Sequence, residues 1–191
     1  MIRFKIFGIK ISVSFLYICL ISVFLLYDTT KIVVWGIFSS FFHEFFHILS
    51  IYFFSAKPDC IIFELSGIKL IKKQNLPLMQ DIIVLISGCI GNLILFVICL
   101  KLNLKTPAAV NLCLLVFNLL PNINLDGGQI LFKILEIFFN FQICLKIYNI
   151  ISWFVAIFLS LIGVFIIIRF KNPTLFFTGI MLIFSSLYTK F

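Results

Sequence analysis

Between Asp81 and Lys101, and again between Lys146 and Arg169, the chain carries no charged residue. A helix needs about 20 mostly apolar residues to cross the hydrocarbon core of a bilayer, and both stretches have that length. The rest of the chain is of the same kind: 63% of its 191 residues are hydrophobic and 12% are charged, with a mean hydropathy of +1.24. Soluble domains are about 45–50% apolar and about 25% charged. So few charges cannot clothe a soluble globule, which excludes a soluble enzyme, a disordered chain and a nucleic-acid-binding protein.

The expected fold is therefore an all-α polytopic membrane protein forming one domain over 1–191, with no additional soluble domain. Six candidate spans are readable: Ile11 to Tyr27, Ile32 to Phe54, Ile82 to Leu100, Ala108 to Leu120, Ile147 to Ile168 and Leu175 to Leu187. The first ends at Asp28-Thr29-Thr30-Lys31, the fourth at Pro121, and Gln129 to Phe141 reads as a helical continuation at the interface. The N-terminus lacks a signal-peptidase site, so its apolar run reads as a retained first helix. One loop departs from the pattern. Cys60 to Lys73 holds two β-prone runs around Ser66-Gly67, which predicts a short membrane-associated β-hairpin between helices 2 and 3, with an amphipathic loop as the alternative.

The net charge of +8 is spread in ones and twos, as a topology signal rather than a polyanion footprint. With the N-terminus inside, the inner segments hold ten Lys and Arg and the outer ones five. That bias predicts both termini in the cytoplasm. The six cysteines lie in or beside apolar runs, apart from Cys60 in a loop, and form no C-x-x-C pair. They read as small buried hydrophobes rather than a metal or disulfide framework.

The two histidines of the chain stand four apart, in His43-Glu44-Phe45-Phe46-His47. Positions i and i+4 share a helix face, so both imidazoles can reach one metal ion. Glu44 sits beside the first of them, where it can serve as general base toward a water held there, the H-E-x-x-H arrangement of zinc hydrolases. Ionisable side chains in a spanning helix are costly, and their presence points to function. The competing readings are a polar cluster that glues helices or a His/Glu proton relay. Zinc needs a third protein ligand, which must be Asp, Glu or Cys. Asp28, Asp59, Glu64, Asp81 and Glu136 are candidates, and Asp126 stands out. It follows the helix break at Pro121 and precedes Gly127-Gly128, a backbone that can aim a carboxylate at a cavity.

His43-Glu44-x-x-His47, together with Asn118-x-x-Pro121-x-x-x-x-Asp126-Gly127, resembles the site-2 protease family of intramembrane zinc metalloproteases. Gly88-Cys-Ile-Gly-Asn92 is similar to the family's G-x-x-x-N element. The six spans and short loops look most like the branch that processes a membrane-associated sporulation sigma-factor precursor. The resemblance implies that His43, His47 and Asp126 bind Zn2+ and that Glu44 activates the water. It further implies that Asn118 positions substrate or stabilises the oxyanion, and that Gly88 and Asn92 pack the core helices or receive substrate. Ordinary small-residue packing for the glycines, and a helix-break role for Asn118, are the alternatives. The nucleotide-sensing domain of many branch members and the PDZ domain of others are not expected. The implied partner is a membrane-tethered substrate, such as a sigma-factor precursor or an anti-sigma factor. The implied location is a bacterial cell membrane, with the site nearer the cytoplasmic face. The rival function is non-enzymatic: a membrane metal-binding or transport protein, or an inactive scaffold.

Overall fold

The computed structural model describes residues 1–6, 9–64, 67–72, 76–171 and 174–187. It is mostly helical and divides into two compact units, Met1–Val116 and Phe117–Phe191.

The first unit begins with a correction. The chain is not all-α: β1 (Ile2–Ile6), β2 (Ile9–Val13), β3 (Pro58–Glu64) and β4 (Gly67–Lys72) form one sheet in the order β1-β2-β3-β4. The stretch from Ile11, expected to open the first helix, belongs to β2, and α1 runs only from Phe15 to Tyr27. The cause is local. Ile2-Arg3-Phe4-Lys5-Ile6 and Ile9-Lys10-Ile11-Ser12-Val13 alternate apolar and polar residues with the period of a strand, and β-branched side chains favour that geometry. β1 and β2 pair antiparallel, as do β3 and β4, whereas β2 and β3 run parallel. A parallel pair needs a long crossover, here α1 and α2 (Ile32–Phe53). Of the expected hairpin, Ser66 and Lys73 lie outside the described residues.

α2 starts on a cap. The Asp28 carboxylate accepts hydrogen bonds from the amides of Ile32 (3.0 Å), Val33 (2.8 Å) and Val34 (3.3 Å) and from the Thr30 hydroxyl (3.2 Å). The three amides are orphan donors of the first helical turn, and a negative charge there also meets the positive end of the helix dipole. Further on, α2 is inside out relative to a soluble helix. Ser39, His43, His47 and Ile51 are buried, while Phe38, Phe41, Phe45 and Leu49 are exposed. A helix that turns polar residues inward and phenylalanines outward is built for lipid. Its partner is α3 (Leu78–Lys101), which buries the small residues Gly88, Cys89 and Gly91. Small side chains let helix backbones approach closely in membranes. α4 (Lys105–Asn118) follows, with Pro107 in its first turn, where a missing amide proton costs nothing.

In the second unit, α5 (Asp126–Phe138) packs on α6 (Phe141–Phe170) through Phe132, Cys144 and Tyr148. The expected helical continuation over Gln129 to Phe141 is thus α5, which ends before Asn140. There the Asn140 side chain accepts from the Ile143 amide at 3.0 Å and caps α6. α6 packs in turn against α7 (Thr174–Leu187). Gly163 lies against the Phe176 backbone, and Gly179 against Ser160.

Against six expected spans, three helices are long and apolar enough to cross a membrane by length and composition among the described residues: Ile32–Phe53, Leu78–Lys101 and Phe141–Arg169. Phe15–Tyr27 and Thr174–Phe184 are shorter apolar helices. The chain is built as an integral membrane protein.

The Asp28 cap makes a testable prediction. Burial pushes the Asp28 carboxyl up, but the hydrogen bonds from Val33, Val34, Thr30 and Ile32 outweigh it and hold the group below its ordinary range. A depressed carboxyl stabilises the fold fully above its unfolded pKa of about 3.9, and that contribution fades as pH falls through the folded value. Asp28→Ala should therefore lower the Tm in detergent by several degrees at pH 7, and the gap from wild type should close as the pH is taken well below 4. Thermal scans across that range measure it.

Candidate metal centre

His43 and His47 are 5% and 6% exposed, on the face of α2 turned to α3. Their reach depends on missing side chains across the contact. A Cβ at Gly88 would overlap both imidazoles, lying 2.7 Å from His43 Cε1 and nearer still to the His47 ring. One at Gly91 would lie 2.9 Å from the Phe46 ring. Bare backbone at these two positions is what lets the helices close over the histidines.

The His43 and His47 Nε2 atoms are 3.1 Å apart, with the ring planes perpendicular. Two nitrogens bound to one tetrahedral zinc at about 2.0–2.1 Å would be about 3.3–3.4 Å apart. His43 and His47 could hold a metal ion, and their spacing suits that ion. Their outer nitrogens are engaged. His47 Nδ1 lies 2.7 Å from the Val84 carbonyl oxygen, which can only accept, so Nδ1 carries the proton and Nε2 presents its lone pair. Ser87 Oγ donates to the same carbonyl at 2.6 Å and lies 3.1 Å from the Phe46 carbonyl oxygen, tying α3 to α2. His43 Nδ1 faces Asn92 Nδ2 at 3.1 Å. The His47 contact has the form common among metal-binding imidazoles, which donate from the second nitrogen to an oxygen.

Glu44, one residue round the helix, is half-buried. It lines a cavity of about 440 Å³ with Phe38, Phe41, Phe45, Ile61 and Phe63, between α2 and the sheet. Glu44 is the one charged residue described in that lining.

The other expected residues lie in the second unit. Asn118 ends α4, and Pro121, lacking an amide proton, stops the helix from continuing. A tight turn follows, with Asn122 N bonded to Leu120 O and Leu125 N to Asn122 O, each at 2.8 Å. Asp126 then opens α5 and is half-buried. Gly127 rests against the Leu119 backbone and Gly128 against that of Asn122, approaches that a side chain would forbid. These contacts fold the turn back on itself and fix the direction in which α5, and Asp126 with it, begins.

The remaining carboxylates have other settings. Asp28 caps α2, Asp59 pairs with Lys10 at 3.6 Å across the sheet, Glu136 is exposed on α5, and Asp81 sits in the first turn of α3. The Glu64 side chain lies outside the described part. Sequence reasoning missed the Val84 carbonyl and Ser87. A backbone acceptor leaves no trace in residue type, and serines in apolar helices usually bond their own helix.

No protein-family model and no curated protein matches this chain. Among solved structures, that of the site-2 protease from Methanocaldococcus jannaschii is similar over 97% of this chain and 93% of its own, with a TM-score of 0.70 and 22% sequence identity. The chain has the fold of a site-2 protease. At that identity the likeness speaks for the fold, and the chemistry rests on the residues above.

Within this fold the Gly88 contact predicts a selective effect. Gly88→Ala places a methyl against both imidazoles and should weaken metal binding by about 5–150-fold, with Gly88→Val worse, because overpacking at a tight contact costs about 1–3 kcal/mol. Gly36→Ala on α2, where no described atom lies within 4 Å of the added carbon, should leave metal affinity unchanged. Competition with a chromogenic chelator reads both.

Proposed function

We propose that this protein is an intramembrane zinc metalloprotease that hydrolyses a peptide bond in or near the transmembrane segment of a membrane-associated regulatory protein. The observation that carries the reading is the imidazole pair, buried in a lipid-facing helix, with its ligating nitrogens 3.1 Å apart and Glu44 beside it. We take Asp126 as the third ligand. Two imidazoles and one carboxylate are a ligand set that suits zinc, and three such ligands leave it an open fourth position. Residues 1–191 then form one catalytic domain, since the H-E-x-x-H motif and Asp126 fall in different parts of the chain.

Zinc bound there would polarise the scissile carbonyl and make an adjacent water more acidic. Glu44 takes the proton from the attacking water and delivers it to the leaving amine nitrogen. The aromatic cavity beside Glu44 receives apolar side chains of the substrate, as a transmembrane segment would offer. Asn118, at the end of α4, is assigned to the substrate or to the oxyanion of the tetrahedral intermediate. The fold of a site-2 protease supports this assignment.

The long helices together with α1, α4 and α7 make six crossings, the short ones in a locally thinned bilayer. The surplus of basic residues in the alternate segments favours both termini in the cytoplasm and the metal nearer that face. The partner is a membrane-tethered substrate of the sigma-factor-precursor or anti-sigma type, and the setting a bacterial cell membrane.

Glu44→Gln keeps the side-chain shape and removes the base. Cleavage of a co-expressed membrane-tethered substrate should fall about 10²–10⁴-fold, with zinc still bound. Undiminished cleavage overturns the assigned base. Asp126→Ala should lower bound zinc in the purified protein, and unchanged stoichiometry with unchanged affinity removes Asp126 from the ligand set.

A further inference from the structure

Asn92 is wholly buried in α3, and its carboxamide oxygen Oδ1 has no hydrogen-bond partner among the described residues. Its nitrogen lies 3.1 Å from His43 Nδ1. In that orientation the amide donates to Nδ1, so a neutral His43 carries its proton on Nε2, pointed at His47 Nε2. An imidazole in that tautomer cannot offer Nε2 to a metal. His47 is already fixed in the opposite, ligating tautomer by the Val84 carbonyl.

The two ends of a carboxamide have nearly the same shape and differ in what they bond. Turned by 180° about its last bond, Asn92 would present Oδ1 to His43 Nδ1. Oδ1, otherwise without a donor, would accept the Nδ1 proton, and Nε2 would be left with its lone pair toward His47. Both imidazoles would then be held alike, each donating from Nδ1 to an oxygen on α3. The oxygens belong to Val84 and to Asn92 on that one helix, and they would face the two histidines of one helix face.

We propose that Asn92 is a positioning residue for His43. Its carboxamide oxygen accepts the His43 Nδ1 proton, selects the tautomer that ligates through Nε2, and so sets the zinc affinity of the centre. This rests on the metalloprotease reading and deepens it, because it assigns to the G-x-x-x-N asparagine a role in metal binding rather than in packing or substrate contact.

Two variants separate these roles. Asn92→Asp keeps an acceptor at the same place and removes the donor, whereas Asn92→Leu keeps the bulk and removes both. Acting as an acceptor, Asn92→Asp should hold zinc within about threefold of wild type and Asn92→Leu should lose about 10–100-fold, by chelator competition on the full chain in detergent. A packing role gives the reverse order, since leucine suits the buried site and a carboxylate does not. With only two histidines in the chain, 15N-histidine spectra of the zinc-free wild type and Asn92→Asp should show both rings protonated at Nδ1. In zinc-free Asn92→Leu the His43 signal should shift toward the Nε2-protonated form. Zinc affinity in Asn92→Leu equal to or tighter than in Asn92→Asp overturns the proposal and leaves the metalloprotease reading standing. If zinc leaves both histidine spectra of the wild type unmoved, the metalloprotease reading falls and this proposal with it.

Discussion

The hydrogen bond from His47 Nδ1 to the Val84 carbonyl, 2.7 Å long, is the contact on which the rest of the site depends. Inside a bilayer there is no water to satisfy a polar group, so an imidazole in α2 must find its partner on a neighbouring helix. A backbone carbonyl can serve only if the neighbour comes very close. Gly88 and Gly91 permit that approach, and the Ser87 hydroxyl on α3 reaches the Phe46 carbonyl of α2 at 3.1 Å. Helix packing and ligand chemistry are therefore one arrangement. The contact that holds α2 to α3 also frees His47 Nε2 for a metal.

The second device is a pair of broken regularities. Pro121 ends α4, and Gly127 and Gly128 let the chain fold back on Leu119 and Asn122, so that a helix starts with Asp126. In the first unit the sheet lies beside α2, and the space between them is the aromatic cavity that Glu44 borders. An irregular backbone in an apolar protein is expensive. Here it occurs at the turn before Asp126 and at the sheet flanking Glu44, where side chains must be aimed rather than merely buried.

The sheet also shows where pattern reading lost to length. Ile2 to Ile6 and Ile9 to Val13 alternate as strands do, but the apolar run that continues to Tyr27 is long enough for a spanning helix, and the longer signal absorbed the shorter. Ser14 marks the actual boundary: its amide bonds the Phe63 carbonyl of β3 at 2.9 Å, and α1 begins at the next residue. A parallel β2–β3 pairing is also invisible locally, because its partner lies beyond two helices.

The sequence by itself determined the solvent and the local placement of the candidate ligands. Scarcity of charge made it a membrane chain. The i, i+4 spacing of the two histidines put them on one face whatever surrounded them, and Pro121 with the two glycines marked a break before Asp126. These are consequences of helix geometry and residue chemistry, which act over a few positions. Tertiary structure alone decided which nitrogen of His47 holds its proton and which atoms face His43. It also set Gly88 against both imidazoles, where a Cβ would overlap them. Those depend on a carbonyl and a carboxamide brought from another helix, and no local pattern records that approach.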